Sequence, residues 1–292
     1  MLNAKNLNPA SQIAIAITNA PKGTGYLGFR DLPNILKKYV KGMNVLDVGC
    51  GSGRSTRFLR DLGYNVIGID VSESMIKTAK EQDEVSDYRL IVSENEEWPL
   101  ENEKFDLIMF SFVMLELSSH EKIKEILMKA KSFLSESGVL VISSTSENAY
   151  KHDWLSMGTG YPENQDPKSG DVVKIFLKDY GFEVKDYYWT DDDYQSCIKQ
   201  AGLNLLWKFN PLGKASDGKK WVNEEKISPF TFYVTNNQQA NPKAKPKVNL
   251  KANSGYEADS ETKAGSDTDS DSDVNEANSK VQIKLKPKLK PG

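Results

Sequence analysis

The residues best placed to do chemistry stand in one segment, VLDVGCGSGRSTRFL, residues 45–59. An apolar run carries Asp47 near its end. Gly49, Gly51 and Gly53 follow at alternate positions, and a helix-like stretch opens immediately after them. Glycines at such spacing permit positive φ and let a ligand approach the main chain closely. The opening helix adds N–H groups that have no partner in their own turn. Spacing argues against two phosphate-binding patterns. The dinucleotide pattern is G-x-G-x-x-G, whereas this loop reads G-x-G-x-G with an acid two residues ahead. The Walker pattern needs Gly-Lys-Ser/Thr after four intervening residues, which this loop lacks. A carboxylate inside the loop repels pyrophosphate but suits an ammonium group or a sugar hydroxyl. Seventeen residues beyond Gly53, the segment VIGIDVSESMI sets Asp70 at the end of a second apolar run.

These segments resemble the class I S-adenosylmethionine-dependent methyltransferases, in which residues 45–59 correspond to the first cofactor motif. The resemblance implies that Asp47, Gly49, Cys50, Gly51 and Gly53 line the cofactor, with Asp47 at its amino-acid end. It implies that Asp70 accepts hydrogen bonds from both ribose hydroxyls, a bidentate fit for a carboxylate. Val71 and Met75 would pack against the adenine. A third segment, SENEEWPLENEKFDLIMF, is similar to the family's adenine-edge segment. Aligned on Trp98, Pro99 and Leu100, its acid is Glu94, where the family more often has Asp, and Asn95 is the neighbour. Ser111, at the end of the fourth strand, would lie beside the methionine moiety. Tyr26 and Arg30 precede the sheet as lid residues do in the family, and Arg30 is expected to pair with a carboxylate of cofactor or substrate. The resemblance covers residues 20–236 and implies S-adenosyl-L-methionine as cofactor.

The elements that must position these residues alternate between strand-like and helix-like. Helical spacing runs over residues 32–40, 52–62, 72–80 and 121–134, with Ser72 a plausible N-cap. Short apolar runs at 44–48, 65–69, 88–92, 105–112 and 139–143 read as strands. Leu205 to Phe209 and Phe230 to Val234 fit an antiparallel hairpin that closes the sheet. Buried strands separated by helices predict a parallel sheet covered on both faces. With the resemblance, the expectation is an α/β, Rossmann-like, doubly wound and mostly parallel seven-stranded sheet. In such sheets ligands bind beyond the carboxyl ends of the strands, where Asp47 and Asp70 stand.

The acceptor side is written less clearly. Between residues 144 and 189 lie HDWLSMGTGYPEN and two alternating segments, DVVKIFLK and VKDYYWT, which predict a β-hairpin lid. Thr190 then caps the helix DDDYQSCIKQ, with Gly202 past its end. Trp154, Tyr161, Trp189 and Trp221 are candidates to wall an apolar or aromatic substrate. His152 is the one candidate general base, and no other catalytic residue is assigned, because a sulfonium methyl does not require a base for every acceptor. The segment after the fourth strand, SFVMLEL, lacks the Asn/Asp-Pro-Pro-Tyr/Phe of family members that methylate amide or base nitrogens. There is no Pro-Cys pair for attack on a pyrimidine.

Composition sets the outer bounds. Apolar residues are 38% of 292 and aromatics 10%, enough for a buried core. No run of about 18 apolar residues exists, so no helix is expected to cross a bilayer. The start, MLNAKNLNPASQ, lacks the order of a secretory signal. Two distant cysteines, Cys50 and Cys197, argue against a disulfide scaffold or a zinc cluster and point to a cytoplasmic setting. Residues 237–292 hold ten Lys and eight Asp plus Glu, a local +2 that leaves −5 of the formal −3 on residues 1–236. That balance argues against nucleic acid as substrate. The expected organisation is a methyltransferase domain over 1–236, with a lid insertion at about 144–189, and a disordered charged tail over 237–292. The tail's Lys-Pro blocks suit a protein or another acidic partner. The expected activity is methyl transfer to a small molecule at oxygen, nitrogen or carbon. The alternatives are a protein or RNA methyltransferase with the tail as docking arm, and a non-catalytic cofactor-binding module.

Overall fold

Alternating apolar strands demand cover on both faces, and the chain supplies it. The structure, a computed structural model, describes residues 22–92 and 97–237. Five helices stand among the described residues: α1 (Leu32–Tyr39), α2 (Arg54–Asp61), α3 (Glu73–Gln82), α4 (His120–Ser132) and α5 (Asp191–Gln200). The strands are β1 (Asn44–Val48), β2 (Asn65–Asp70), β3 (Asp87–Leu90), β4 (Phe105–Ser111), β5 (Leu134–Thr145), β6 (Met157–Gly158), β7 (Val172–Leu177), β8 (Phe182–Tyr187), β9 (Asn204–Phe209) and β10 (Phe230–Asn236). Seven form one sheet in the order β3-β2-β1-β4-β5-β10-β9, and β6, β7 and β8 form a second, antiparallel one. The pairs from β3 to β5 are parallel, and β10 pairs antiparallel with both β5 and β9.

Period-2 alternation sends successive side chains to opposite faces. Leu46, Ile108, Phe110, Leu140 and Ile142 pack with Ile123 and Leu127 of α4 and Ile198 of α5. Their neighbours Val45, Leu107, Met109, Val139 and Val141 pack on the other face with Leu32, Ile35 and Leu36 of α1 and Leu59 of α2. The doubly wound arrangement therefore follows from strands that are apolar on both sides. The order changes direction at β1: β2 follows on one side and β4 lies on the other. That places the crevice above the tips of β1, β2 and β4.

Helix boundaries are set by local chemistry. The Ser72 hydroxyl accepts from Met75 N at the start of α3. Thr190 and Asp193 form a reciprocal capping box on α5. β5 is longer than the expected 139–143. It begins at Leu134 opposite Phe105, and a register irregularity lets it pass Gly138 before settling into regular pairing at Val139. A third apolar cluster sits over the carboxyl end of β5. There Leu27, Ala149, Tyr150, Trp154, Val173 and Ile175 meet Phe230. It joins the segment before α1, the small sheet and the chain before β10. Glu224, fully buried, ties these parts together: it accepts from the Thr24 hydroxyl, Leu155 N, Val222 N and Asn223 N at 2.7–3.1 Å. No helix among the described residues is long and apolar enough to cross a membrane.

Candidate active site

The glycine loop joins β1 to α2, and Gly49, Gly51 and Gly53 all have positive φ, +67°, +54° and +84°. Each glycine has its own reason. A Cβ on Gly49 would approach Val113 Cγ2 to 2.5 Å, and one on Gly53 would collide with the Tyr88 hydroxyl. A Cβ on Gly51 meets nothing within 4 Å, so Gly51 borders open space. The loop is pinned to β2 by Gly49 N and Cys50 N, which both donate to Ile69 O at 2.8 and 3.0 Å. The Cys50 thiol packs with Ile76, Ala79 and Tyr88, and burial, with Asp47 and Asp70 nearby, pushes it far up.

Asp47 is fully buried under the loop. Its Oδ2 accepts from the Ser55 and Thr56 hydroxyls of α2, at 2.6 and 2.7 Å. Its Oδ1 is buried with no hydrogen-bond partner among the described residues. Burial pushes the carboxyl up to about 6, the two hydroxyls oppose that shift, and Asp70 adds to it. A buried acceptor without a donor is costly unless a ligand supplies one. A hydrogen-bond donor is the complement that this atom lacks.

Asp70 ends β2. Its Oδ2 accepts from Gly51 N and its Oδ1 from Ser72 N, both at 2.8 Å. Burial raises it, and these amides hold it partly back. Val71, beside it, is a largely exposed apolar side chain, and Met75 is half-buried on the first turn of α3. Asp47, the three glycines, Cys50, Asp70, Val71 and Met75 are thus gathered around two adjacent strand tips. Glu94 and Asn95 lie outside the described residues.

Ser111 is the last residue of β4, level with Ser143 of β5. The next residue, Phe112, has φ +60°, a conformation that costs about 1–2 kcal/mol outside glycine. It is held there by Phe112 N donating to Ser143 O at 2.9 Å and by its ring meeting Phe230 edge-on at 5.0 Å. No pattern in the sequence marks this strained turn.

Other candidates are placed differently. Arg30 is committed to Asp31 and Asp217, each at 2.7 Å, and to Leu212 O at 2.8 Å, so it clamps the segment before α1 to the chain before β10. Tyr26 lies under the Lys219 ammonium, 4.8 Å from its ring centre. Trp154 is fully enclosed, with its indole N–H on Ala149 O. Trp189 is buried in the main core and donates to Leu117 O. Trp221 donates to Lys214 O, and Tyr161 lies beneath the Lys174 ammonium. Trp154 and Trp221 share the cluster over the end of β5, whereas Trp189 belongs to the main core. The His152 ring rests edge-on against Trp154, with its backbone carbonyl bonded by Thr159.

The structure adds three charged side chains that motif reading did not single out. Arg54, the first residue of α2, lies over the Phe29 ring at 4.5 Å and has no ion pair among the described residues. Burial lowers it to about 10, with Tyr180 from the β7–β8 turn opposing and Arg57 adding to the fall. Glu116 lies in a 3-10 turn after β4, raised by desolvation of its carboxyl and by Asp70. Asp186 of β8 is buried and accepts from the Tyr150 hydroxyl at 2.9 Å. Burial pushes it up to about 7; the Tyr150 bond opposes this and Glu116 adds to it. The available signal was alternation, since Asp186 falls in step with Phe182 and Val184 on the inward side of β8.

Residues 45–138 match the family model described as a methyltransferase domain. N-demethylindolmycin N-methyltransferase of Streptomyces griseus is 24% identical over 164 residues, covering 55% of this chain and 69% of that protein. Ubiquinone biosynthesis O-methyltransferase of Glaesserella parasuis serovar 5 is 26% identical over 191 residues, 63% of this chain and 75% of that protein. An S-adenosylmethionine-dependent methyltransferase from Clostridium acetobutylicum superposes with a TM-score of 0.50 at 18% identity, over 72% of this chain and 91% of that one. The match places a methyltransferase domain over residues 45–138, and the solved structure shares the fold.

Proposed function

We propose that this enzyme transfers the methyl group of S-adenosylmethionine to a small-molecule acceptor, at oxygen, nitrogen or carbon, by in-line displacement. The observation that carries the reading is the donorless, buried Asp47 Oδ1 under a glycine that faces open space. In this reading Asp47 holds the ammonium end of the cofactor, and the unpaired Arg54 takes its carboxylate. Asp70 would exchange its two backbone donors for the ribose hydroxyls, with Val71 and Met75 beside the adenine and Ser111 beside the methionine chain. Glu94 and Asn95 are assigned to the adenine edge. When bound, the cofactor supplies a methyl group already activated by its sulfonium charge. The protein's work is then to orient, to exclude water and to accept a proton where the acceptor carries one. A small-molecule acceptor is supported by the names of the two relatives, one an N- and one an O-methyltransferase. It is also supported by the apolar cap over β5, which suits a closed cavity rather than an open groove. The domain is assigned to residues 1–236, with 144–189 as the acceptor-side lid.

Isothermal titration with S-adenosylmethionine and with S-adenosylhomocysteine tests this. Both should bind, and Asp70→Ala should weaken both by about 10- to 100-fold, the value of a charge-assisted pair of hydrogen bonds. Absence of binding by either compound would overturn the reading.

A further inference from the structure

Asp186 is a buried carboxylate that the cofactor reading leaves without a task. It sits on β8, which packs against the 3-10 turn Met114–Glu116 that follows β4. Its Oδ2 is fixed by the Tyr150 hydroxyl, and Tyr150 in turn bonds the Thr145 hydroxyl at 2.8 Å. Thr145 is the last residue of β5. Asp186 is therefore fixed over the tips of β4 and β5, the side of the crevice away from Asp70. Its other oxygen accepts no hydrogen bond from the described residues.

The charges around it are one-sided. Glu116, in the turn that β8 packs against, lies within electrostatic reach of both Asp70 and Asp186. The titratable groups facing Asp186 are Tyr150 after β5, Glu116 after β4 and Tyr194 from α5. Across the strand pair, β7 presents Val173. None of these is a cation. The structural carboxylates Asp83 and Glu224 are each met on both oxygens, whereas Asp186 is met on Oδ2 alone by the described residues.

We propose that Asp186 takes the proton of the acceptor, and that the acceptor is a hydroxyl or an amine nitrogen that carries a proton. The proposal rests on the cofactor reading above. The acceptor's O–H or N–H bond breaks, its proton passes to Asp186 Oδ1, and its electron pair stays on the acceptor atom. That atom's bond to the methyl carbon forms as the carbon–sulfur bond breaks, with the latter's electron pair left on sulfur. A carboxylate that stayed charged would stabilise the sulfonium and oppose its loss. Asp186 avoids this because its affinity for a proton rises as the nearby positive charge disappears. Its raised position near neutrality suits both forms.

The test is a carboxyl titration by carbon-13 NMR of the full chain labelled at aspartate, with Asp186→Asn to identify the signal. Titrations from pH 5 to 9 are run free, with S-adenosylmethionine, and with S-adenosylhomocysteine. The sulfonium should lower the Asp186 midpoint by about one unit or more relative to the thioether, as an adjacent opposite charge does. Equal midpoints with the two compounds would overturn the inference while leaving the cofactor reading intact. Failure of both to bind would overturn the cofactor reading itself, and this inference with it. Tyr150→Phe keeps the carboxylate and removes the bond that lowers it, so its midpoint should rise. A midpoint unmoved in that variant would also count against the proposal.

Discussion

Gly51 and Gly49 separate two uses of glycine within three residues. Gly51→Ala introduces a methyl into space that is empty of protein, at a φ of +54°, so its stability loss should be about 1–2 kcal/mol. Its cofactor affinity should fall much further, because the methyl enters the volume assigned to the ligand. Gly49→Ala drives its methyl into Val113 and should lose more stability than Gly51→Ala. Urea unfolding and calorimetric binding on the two variants check this, and a Gly51→Ala protein that binds as tightly as the parent would contradict it. Asp47, the glycines and Asp70 were legible in the sequence because each motif lies within a contiguous stretch. Asp186 and Arg54 were not, because what distinguishes them is an absent partner. Only the folded chain shows that Arg30 is met by Asp31 and Asp217 and that Arg54 is met by a phenyl ring.

Helices and strands of the doubly wound sheet were legible because their apolar periodicity is strong. The stripe Ile123, Leu127 and Ala130 faces the core as its spacing requires. The alternation in β7 and β8 likewise gave the hairpin. The chain between β9 and β10 has no such period, and its organiser is a single carboxylate. Glu224 gathers donors from the segment before α1, from the loop before β6 and from its own turn. Glu224→Ala leaves those buried donors unmet and should cost about 3 kcal/mol or more, read as a lowered urea midpoint. Glu224→Gln keeps one acceptor oxygen and should fall between the two. A Glu224→Ala midpoint equal to the parent's would show that the carboxylate is not the organiser.

The whole molecule should lose stability as pH rises from 5 to 8. Asp47 and Asp186, held at about 6 and about 7 in the folded chain, bind protons more tightly there than in the unfolded chain, where aspartate titrates near about 4. The folded state therefore carries more protons through this window, and linkage makes stability fall with pH. Asp83 has the opposite sign: against its burial, the Ser86 hydroxyl, the Val85 amide, Tyr88 and Arg60 hold it at about 2, so it supports the fold above about 4 and loses that support only in stronger acid. Melting curves across pH 5–8 should show a falling midpoint, with a shallower slope in Asp186→Asn. A midpoint that rises over this range would contradict the assignment. Connectivity has its own consequence at this scale. Thr24 and Glu224 are 200 residues apart, yet one carboxylate joins them. At about 5–20 residues per second, the ribosome completes that interval in roughly 10–40 s. Through that time the leading segment of the nascent chain lacks this carboxylate and is tied only by earlier partners such as Ser156. The roof above β5 is complete only when synthesis is nearly through the sheet, so a translation product stalled before Glu224 would carry the glycine loop with that roof unfinished.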